Sequence, residues 1–394
     1  MLTSASAVFM LVLLQLLTLP ATTAADFTPA STTSSDWLAT RGLFSLGIEQ
    51  FRHFFSGPRG GCNLRNAVIR REWSSLSRSQ RKEYTDAVLC LQSKPARTNQ
   101  TLVPGARSRY DDFVWTHIEQ TLTIHGTANF LSWHRYFTWT YEQALRNECG
   151  YRGYQPYWNW GKTAFDPVKS PVFDGSPFSM GGNGEYEPHN CTNALPSGLN
   201  CLPAGAGGGC VMEGPFKNMK VNLGPVSPTL AAKGVVSSSS SSAYNPRCLR
   251  RDITSWASSR WSTDAQSTSL ITQNTDIESF QTVMQGDFDR GFYGVHTAGH
   301  FTMAGDPSGD IFASPGDPAF WLHHAQIDRT WWIWQNQDLG ARQNAIGGTI
   351  TLNNSPASRP GRLDDPITLG VNAPNITIGD AMSTLAGPFC YIYL

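Results

Sequence analysis

The run Asp317-Pro-Ala-Phe-Trp-Leu-His-His-Ala-Gln-Ile-Asp-Arg-Thr-Trp-Trp332 decides the fold of this chain. Pro318 suits the first position of a helix, where its missing N–H is no loss, and no breaker follows within the run. The helix it predicts carries two adjacent histidines. Neighbours on a 3.6-residue helix point about 100° apart, so only one of His323 and His324 can face a given ion. Upstream, His296 and His300 stand four apart, which puts both rings on one side of a second helix and leaves a third ligand to come from elsewhere. A separate cluster reads H-x7-H-x8-H through His117, His125 and His134. Seven of the nine histidines fall in these two groups. The pattern predicts two triads of imidazoles and two metal ions held side by side. His53 and His189 stand outside it and read as ordinary packed or exposed residues.

Ligation by imidazole alone suits copper, zinc, iron or nickel, with copper at the top of the affinity order. Zinc is the rival. Against it, His296-Thr-Ala-Gly-His300 lacks the glutamate that serves as general base in a zinc protease helix. Two-ion hydrolases usually hold their ions with carboxylates, and none is patterned with these histidines. A three-plus-three imidazole set instead fits redox chemistry with dioxygen. Asp328, one turn beyond His324, is the expected acceptor that would orient an imidazole from behind. Nine of the thirteen tryptophans lie between Trp115 and Trp160 or between Trp321 and Trp334. At helical spacing they are core, and they would form a dry wall around a reactive metal pair.

The 394 residues, 40% hydrophobic and 11% aromatic, suffice for a large core. Thirty basic residues balance thirty acidic ones, so nothing in the charge points to nucleic acid or an anionic membrane. An uncharged small substrate is expected. The apolar run Val8 to Leu19, followed by small residues Ala21 to Ala25, reads as a secretory signal over 1–25, too short to span a bilayer comfortably. Residues 26–394 then form one domain, secreted and free of the membrane. Eight cysteines (Cys62, Cys90, Cys149, Cys191, Cys201, Cys210, Cys248 and Cys390) allow up to four disulfides whose pairing is not readable. Sequons at Asn99, Asn190, Asn353 and Asn375 predict N-glycans and agree with secretion.

Residues 26–61 read as irregular. Ser77 to Leu91 reads as a helix capped by Ser77, and Asp111 to Gln120 as another, with Phe113 and His117 on one face. His125 falls in a glycine-containing loop. Leu131 to Asn147 is a stronger helix that ends at Cys149-Gly150. From 161 to 250 the sequence turns glycine- and serine-rich and holds half of the cysteines, which predicts a long loop region stapled onto the helical body. Helical signals return at Ile277 to Gln285, His296 to Phe301 and Phe320 to Gln335. Short strands and turns are expected from Gly347 to Leu394.

Three segments, Trp133-His-Arg-Tyr-Phe-Thr-Trp-Thr-Tyr-Glu142, Tyr157-Trp-Asn-Trp160 and the Asp317–Trp332 run, resemble the tyrosinase, catechol oxidase and hemocyanin family of binuclear copper proteins. The likeness covers the chain from about Cys62 onward. It implies a mainly α fold in which a four-helix antiparallel bundle holds the copper pair, with long disulfide-stapled loops and a few short strands. It implies His117, His125 and His134 on one copper and His296, His300 and His324 on the other, with His323 a neighbour. Dioxygen is then the co-substrate and small phenols the partners. Some relatives crosslink the second histidine to a cysteine two residues before it; Thr123 stands there. The position of the gate residue matches Ile311, less bulky than the phenylalanine of many plant catechol oxidases. Where hydroxylating members carry an asparagine and a glutamate, this chain has Thr297 and Gln285, neither a base. With Phe301, these are the candidates for shaping the pocket. The chain ends in Tyr391-Ile-Tyr393-Leu394, which resembles the short secreted fungal form without a lid domain, expected to be active once copper is loaded. The expected function is oxidation of o-diphenols, and of o-aminophenols, to o-quinones, with monophenol hydroxylation in doubt. The alternatives are a hemocyanin-like oxygen carrier and a binuclear zinc hydrolase.

Overall fold

The computed structural model describes residues 33–53, 61–190, 202–227 and 240–394. The expected signal segment, Cys191 and Cys201 lie outside them. The first helix, α1 (Ser34–His53), replaces the irregular stretch that the sequence suggests. Its reading fails because Gly42 and Gly47 lower intrinsic helicity, while tertiary contacts hold it. Both Ser34 and Ser35 donate their backbone N–H to Asp264, and a Cβ at Gly42 would collide with Asn336.

Helix α2 (Arg78–Ser93) starts at a capping box in which Ser77 accepts from Gln80 N–H and the Gln80 side chain accepts from Ser77 N–H. Helices α3 (Arg109–Ile124) and α4 (Phe130–Cys149) follow, joined by five residues that make them antiparallel neighbours. Ser108 and Asp111 form the capping box of α3, and Gly150 ends α4 in the left-handed region at φ 69°. Then come α5 (Ser255–Trp261), α6 (Asp264–Gln273), α7 (Ile277–Gln285), α8 (Gly294–Met303) and α9 (Ala319–Gln337). Of α9, only Gln337 is not buried. A helix apolar or occupied on all sides belongs at the centre of a bundle, and α3, α4 and α8 pack around it. Its N-terminus is fixed by Asp317, whose Oδ1 accepts from Ala319 N–H at 2.8 Å while both oxygens take the buried Arg251 guanidinium at 2.6 and 2.8 Å.

Among the described residues the strands are short and form four two-stranded pairs. β1 (Val68–Arg70) runs parallel to β8 (Tyr391–Tyr393). The others are antiparallel: β2 (Gly184–Tyr186) with β3 (Gly208–Val211), β4 (Lys220–Val221) with β5 (Arg247–Cys248), and β6 (Pro366–Ile367) with β7 (Ile376–Thr377). Three disulfides lie among the described residues, Cys62–Cys390, Cys90–Cys149 and Cys210–Cys248. The last joins β3 to β5, so it staples the long loop region to itself. Ion pairs also hold this part of the chain in place: Arg247 meets Asp306, and Arg251, just past the region, meets Asp317 and donates to the carbonyls of Met180 and Gly182 within it. Among the described residues no helix is long and apolar enough to cross a membrane.

One apolar cluster runs from Leu38 through the bundle to Tyr393. Behind it lies a charged knot. Asp328 accepts from Arg135 Nε at 2.6 Å and from the hydroxyls of Tyr391 and Tyr393 at 2.6 Å each, and Arg70 bridges it to Glu142. All these groups are buried. Asp328 is therefore not the imidazole's acceptor that its spacing suggests. With two arginines and two tyrosines on it, its lone pairs are used in tying β8 to α4 and α9.

Candidate metal centre

α3 brings His117 to the centre of the bundle, and His125 follows directly as its C-terminal cap residue. α4 supplies His134, α8 supplies His296 and His300, and α9 supplies His323 and His324. In the first triad, ring centroids stand 5.1 to 5.7 Å apart. In the second, His296, His300 and His324 stand 4.9 to 5.3 Å apart. The triads abut: His134 stacks on His324 at 4.6 Å, and His125 faces His296 at 5.9 Å. The two sets form two groups able to hold an ion, built from histidine alone.

Hydrogen bonds fix the tautomers of the first triad. Nδ1 of His117, His125 and His134 meets the carbonyls of Phe312, Thr121 and Phe130 at 2.8, 2.9 and 2.7 Å. A carbonyl only accepts, so each Nδ1 carries the proton and each Nε2 has its lone pair free. Nε2 of His117 and His134 is buried without a protein partner, as is that of His296. In a native interior such orphans call for an explanation, and a cation supplies one. Nε2 of His324 lies 3.3 Å from Nε2 of His300. That is about the separation of two nitrogens each ~2.0 Å from one ion in a tetrahedral arrangement.

His323 is different. Its Nδ1 accepts from Trp160 Nε1–H at 3.1 Å, which forces the imidazole proton onto Nε2. Its ring presses on the backbone of α8 at Gly299, where any Cβ would overlap it. The glycine of His296-Thr-Ala-Gly-His300 thus makes room for a ring that supports the site from the side. All seven rings are held neutral. Burial, reinforced by the neighbouring imidazoles, drives their pKa values well below the usual histidine range, to about 4 for His125, where burial alone drives it, and about 3 for His300. Neutral imidazole is the metal-binding form.

Apolar rings enclose the pair. Phe320 stacks on His324 at 4.0 Å and reaches His117 and His300, while Phe130 packs against His134 and His296 at 5.0 and 4.9 Å. Neither phenylalanine stands out in the sequence except by following or preceding the histidine motifs closely. Of the pocket candidates, Ile311 lies at the surface, 46% exposed, beside the Phe312 whose carbonyl holds His117. Thr297 and Gln285 are brought together: the Thr297 hydroxyl donates to the Gln285 carbonyl at 2.7 Å. Phe301 is 7% exposed and sits in a satellite cluster with Tyr293, Ala257 and Leu202. One residue past His300, it points roughly 100° away around the helix and packs edge-on against Tyr293 at 5.4 Å.

The bundle and its twin triads define a helical protein built to hold two histidine-ligated ions. Comparison with known proteins narrows that class. The common central domain of tyrosinase matches residues 107–337. Tyrosinase-like protein orsC of Emericella nidulans is 41% identical over 317 residues, 75% of this chain and 82% of that protein. Tyrosinase P of Aspergillus terreus is 38% identical, covering 82% and 91%. The N-acetyl-6-hydroxytryptophan oxidase ivoB of Emericella nidulans is 39% identical, covering 84% and 93%. A point mutant of polyphenol oxidase from Thermothelomyces thermophila superimposes with a TM-score of 0.86 at 44% identity, covering 91% of this chain and 97% of that one. The chain belongs to the tyrosinase family.

Proposed function

We propose that the chain is a secreted polyphenol oxidase that oxidises o-diphenols, and o-aminophenols, with dioxygen at a pair of copper ions. His117, His125 and His134 hold one ion, and His296, His300 and His324 the other. The observation that carries this reading is the juxtaposition of two all-imidazole triads in which Nε2 of His117, His134 and His296 lacks a hydrogen-bond partner. Soft-to-borderline nitrogen donors without a carboxylate favour a redox metal over a hydrolytic one. Bound copper would supply the electron-transfer capacity that the side chains do not have.

The protein supplies geometry and dryness. Backbone carbonyls hold the Nδ1 protons of His117, His125 and His134, which keeps the first triad oriented, and the Phe130 and Phe320 rings pack against imidazoles of both triads. In the balanced reaction each o-diphenol gives up two electrons and two protons to become an o-quinone. Two diphenols reduce one dioxygen to two waters. Hydroxylation of a monophenol needs a group to take the phenolic proton. The Gln285 amide is neutral, and the Thr297 hydroxyl is committed to a carbonyl, so neither serves. A hydroxylated aromatic ring as the substrate class is supported by the relative whose name specifies a hydroxytryptophan.

Secretion is supported by three disulfides, which persist in oxidising compartments, and by exposure of Asn99, Asn190, Asn353 and Asn375. Mass analysis of the secreted protein before and after deglycosylation tests both the cleaved signal and the glycans. The activity is tested by oxygen uptake of copper-loaded protein with 4-tert-butylcatechol and, separately, tyramine. Turnover of the catechol alone is expected. Turnover of tyramine overturns the restriction to diphenols, and reversible oxygen binding with neither substrate consumed overturns the oxidase reading.

A further inference from the structure

Gln285 is the last residue of α7, and its side chain reaches across to the loop that carries His125. Its Oε1 accepts the N–H of Gly126 at 2.8 Å, and its Nε2 donates to the carbonyl of Gln281 at 3.2 Å, which fixes the amide the right way round. Gly126 sits at φ +58°, follows His125 directly, and is gripped from its other side by Asn353, whose N–H donates to its carbonyl at 3.0 Å. The backbone carbonyl of the same Gln285 accepts the hydroxyl of Thr297 at 2.7 Å, and Thr297 follows His296 directly. One residue therefore contacts the immediate neighbour of a histidine in each triad. The two histidines it flanks face each other across the pair, 5.9 Å between ring centroids.

We infer that Gln285 is a positioning residue: a brace that sets the placement of His125 in the first triad relative to His296 in the second. The inference rests on the reading of both triads as copper ligands. His125 needs such a brace more than its partners do. His117 and His134 stand inside long helices, whereas His125 has extended backbone angles at the end of α3, φ −123° and ψ 143°. Among the described residues, the hydrogen bond on its ring runs from Nδ1 to the Thr121 carbonyl. Outer partners of this kind typically change metal affinity by about 10- to 100-fold.

The test compares wild type with Gln285→Leu, which keeps the bulk and loses the acceptor, and Gln285→Glu, which restores an acceptor to Gly126. Thr297→Val removes the second contact. Copper content and the rate of copper loss to a chelator are measured, with the thermal midpoint of each metal-free variant recorded alongside. For Gln285→Leu, one of two coppers is expected to leave about 10- to 100-fold faster, with Gln285→Glu close to wild type and Thr297→Val between them. Equal copper retention in Gln285→Leu and wild type overturns the brace, whatever the metal-free midpoints do. A fall in midpoint with unchanged retention assigns Gln285 a purely structural part and overturns it equally. Wild-type protein that fails to take up two coppers sinks the ligand reading itself, a result distinct from either.

Discussion

His323 and His324 differ by one residue of helical phase, and that difference gives His323 the Trp160 indole as a partner and leaves His324 facing His300. The sequence narrows the choice to one of the two but does not make it, because the deciding partner, Trp160, lies 163 residues away. His324→Ala is expected to lose one of two coppers, measured as metal content per chain, while His323→Ala retains both with weaker hold; loss in the second variant alone would reverse the assignment. Asp328 teaches the opposite lesson. Its spacing of four from His324 is a sound local argument, yet the carboxylate is taken by Arg70, Arg135, Tyr391 and Tyr393, four groups that no spacing rule connects to it. The grouping of the histidines into two clusters is legible from residue type and interval. The partners that orient the ligands are not, because in the first triad they are backbone carbonyls, which every residue has.

At the scale of elements, helices whose ends carry their own signals were readable. Ser77 with Gln80 and the Cys149-Gly150 stop mark true termini within a few residues. Helix α1 carries glycine inside and no strong apolar stripe, so its existence depends on Asp264 and on α9 beneath Gly42. The start of α9 depends likewise on a distant group, Arg251. Removing one member of a buried ion pair leaves the other uncompensated, which costs about 3–5 kcal/mol. Asp317→Ala is therefore expected to lower unfolding free energy by about that amount, read from denaturant titration, and to loosen the second copper, since His324 rides on the same helix. Ser108→Ala, which removes one half of a cap on α3, is expected to cost only about 1 kcal/mol. A larger loss for Ser108→Ala than for Asp317→Ala would contradict this ranking.

For the whole molecule, seven neutral histidines, six of them buried and His300 half-buried, make the metal-free fold sensitive to acid. Their folded pKa values lie below the unfolded value of about 6.5, so between the two the unfolded chain binds more protons than the folded one, and stability rises with pH there. The thermal midpoint of metal-free protein is expected to be level above about pH 6.5 and to fall as the pH drops toward the values of about 4 and 3 at His125 and His300. A flat profile over that range would contradict the burial. Cys62–Cys390 closes the longest loop among the described disulfides and flanks the β1–β8 pair; replacing both cysteines by alanine should cost about 2–5 kcal/mol, measured by reversible unfolding. The architecture that these features stabilise was legible as a mainly helical bundle with stapled loops; the docking of those loops through arginine was not. One consequence of the imidazole cage concerns electrical neutrality. Asp317, the carboxylate whose charge acts on His300, is already matched by Arg251, and among the described residues each candidate metal group consists of histidine alone. Two ions bound there, as proposed, would draw the balancing charge from the medium, so metal uptake is expected to vary with the anion of the buffer.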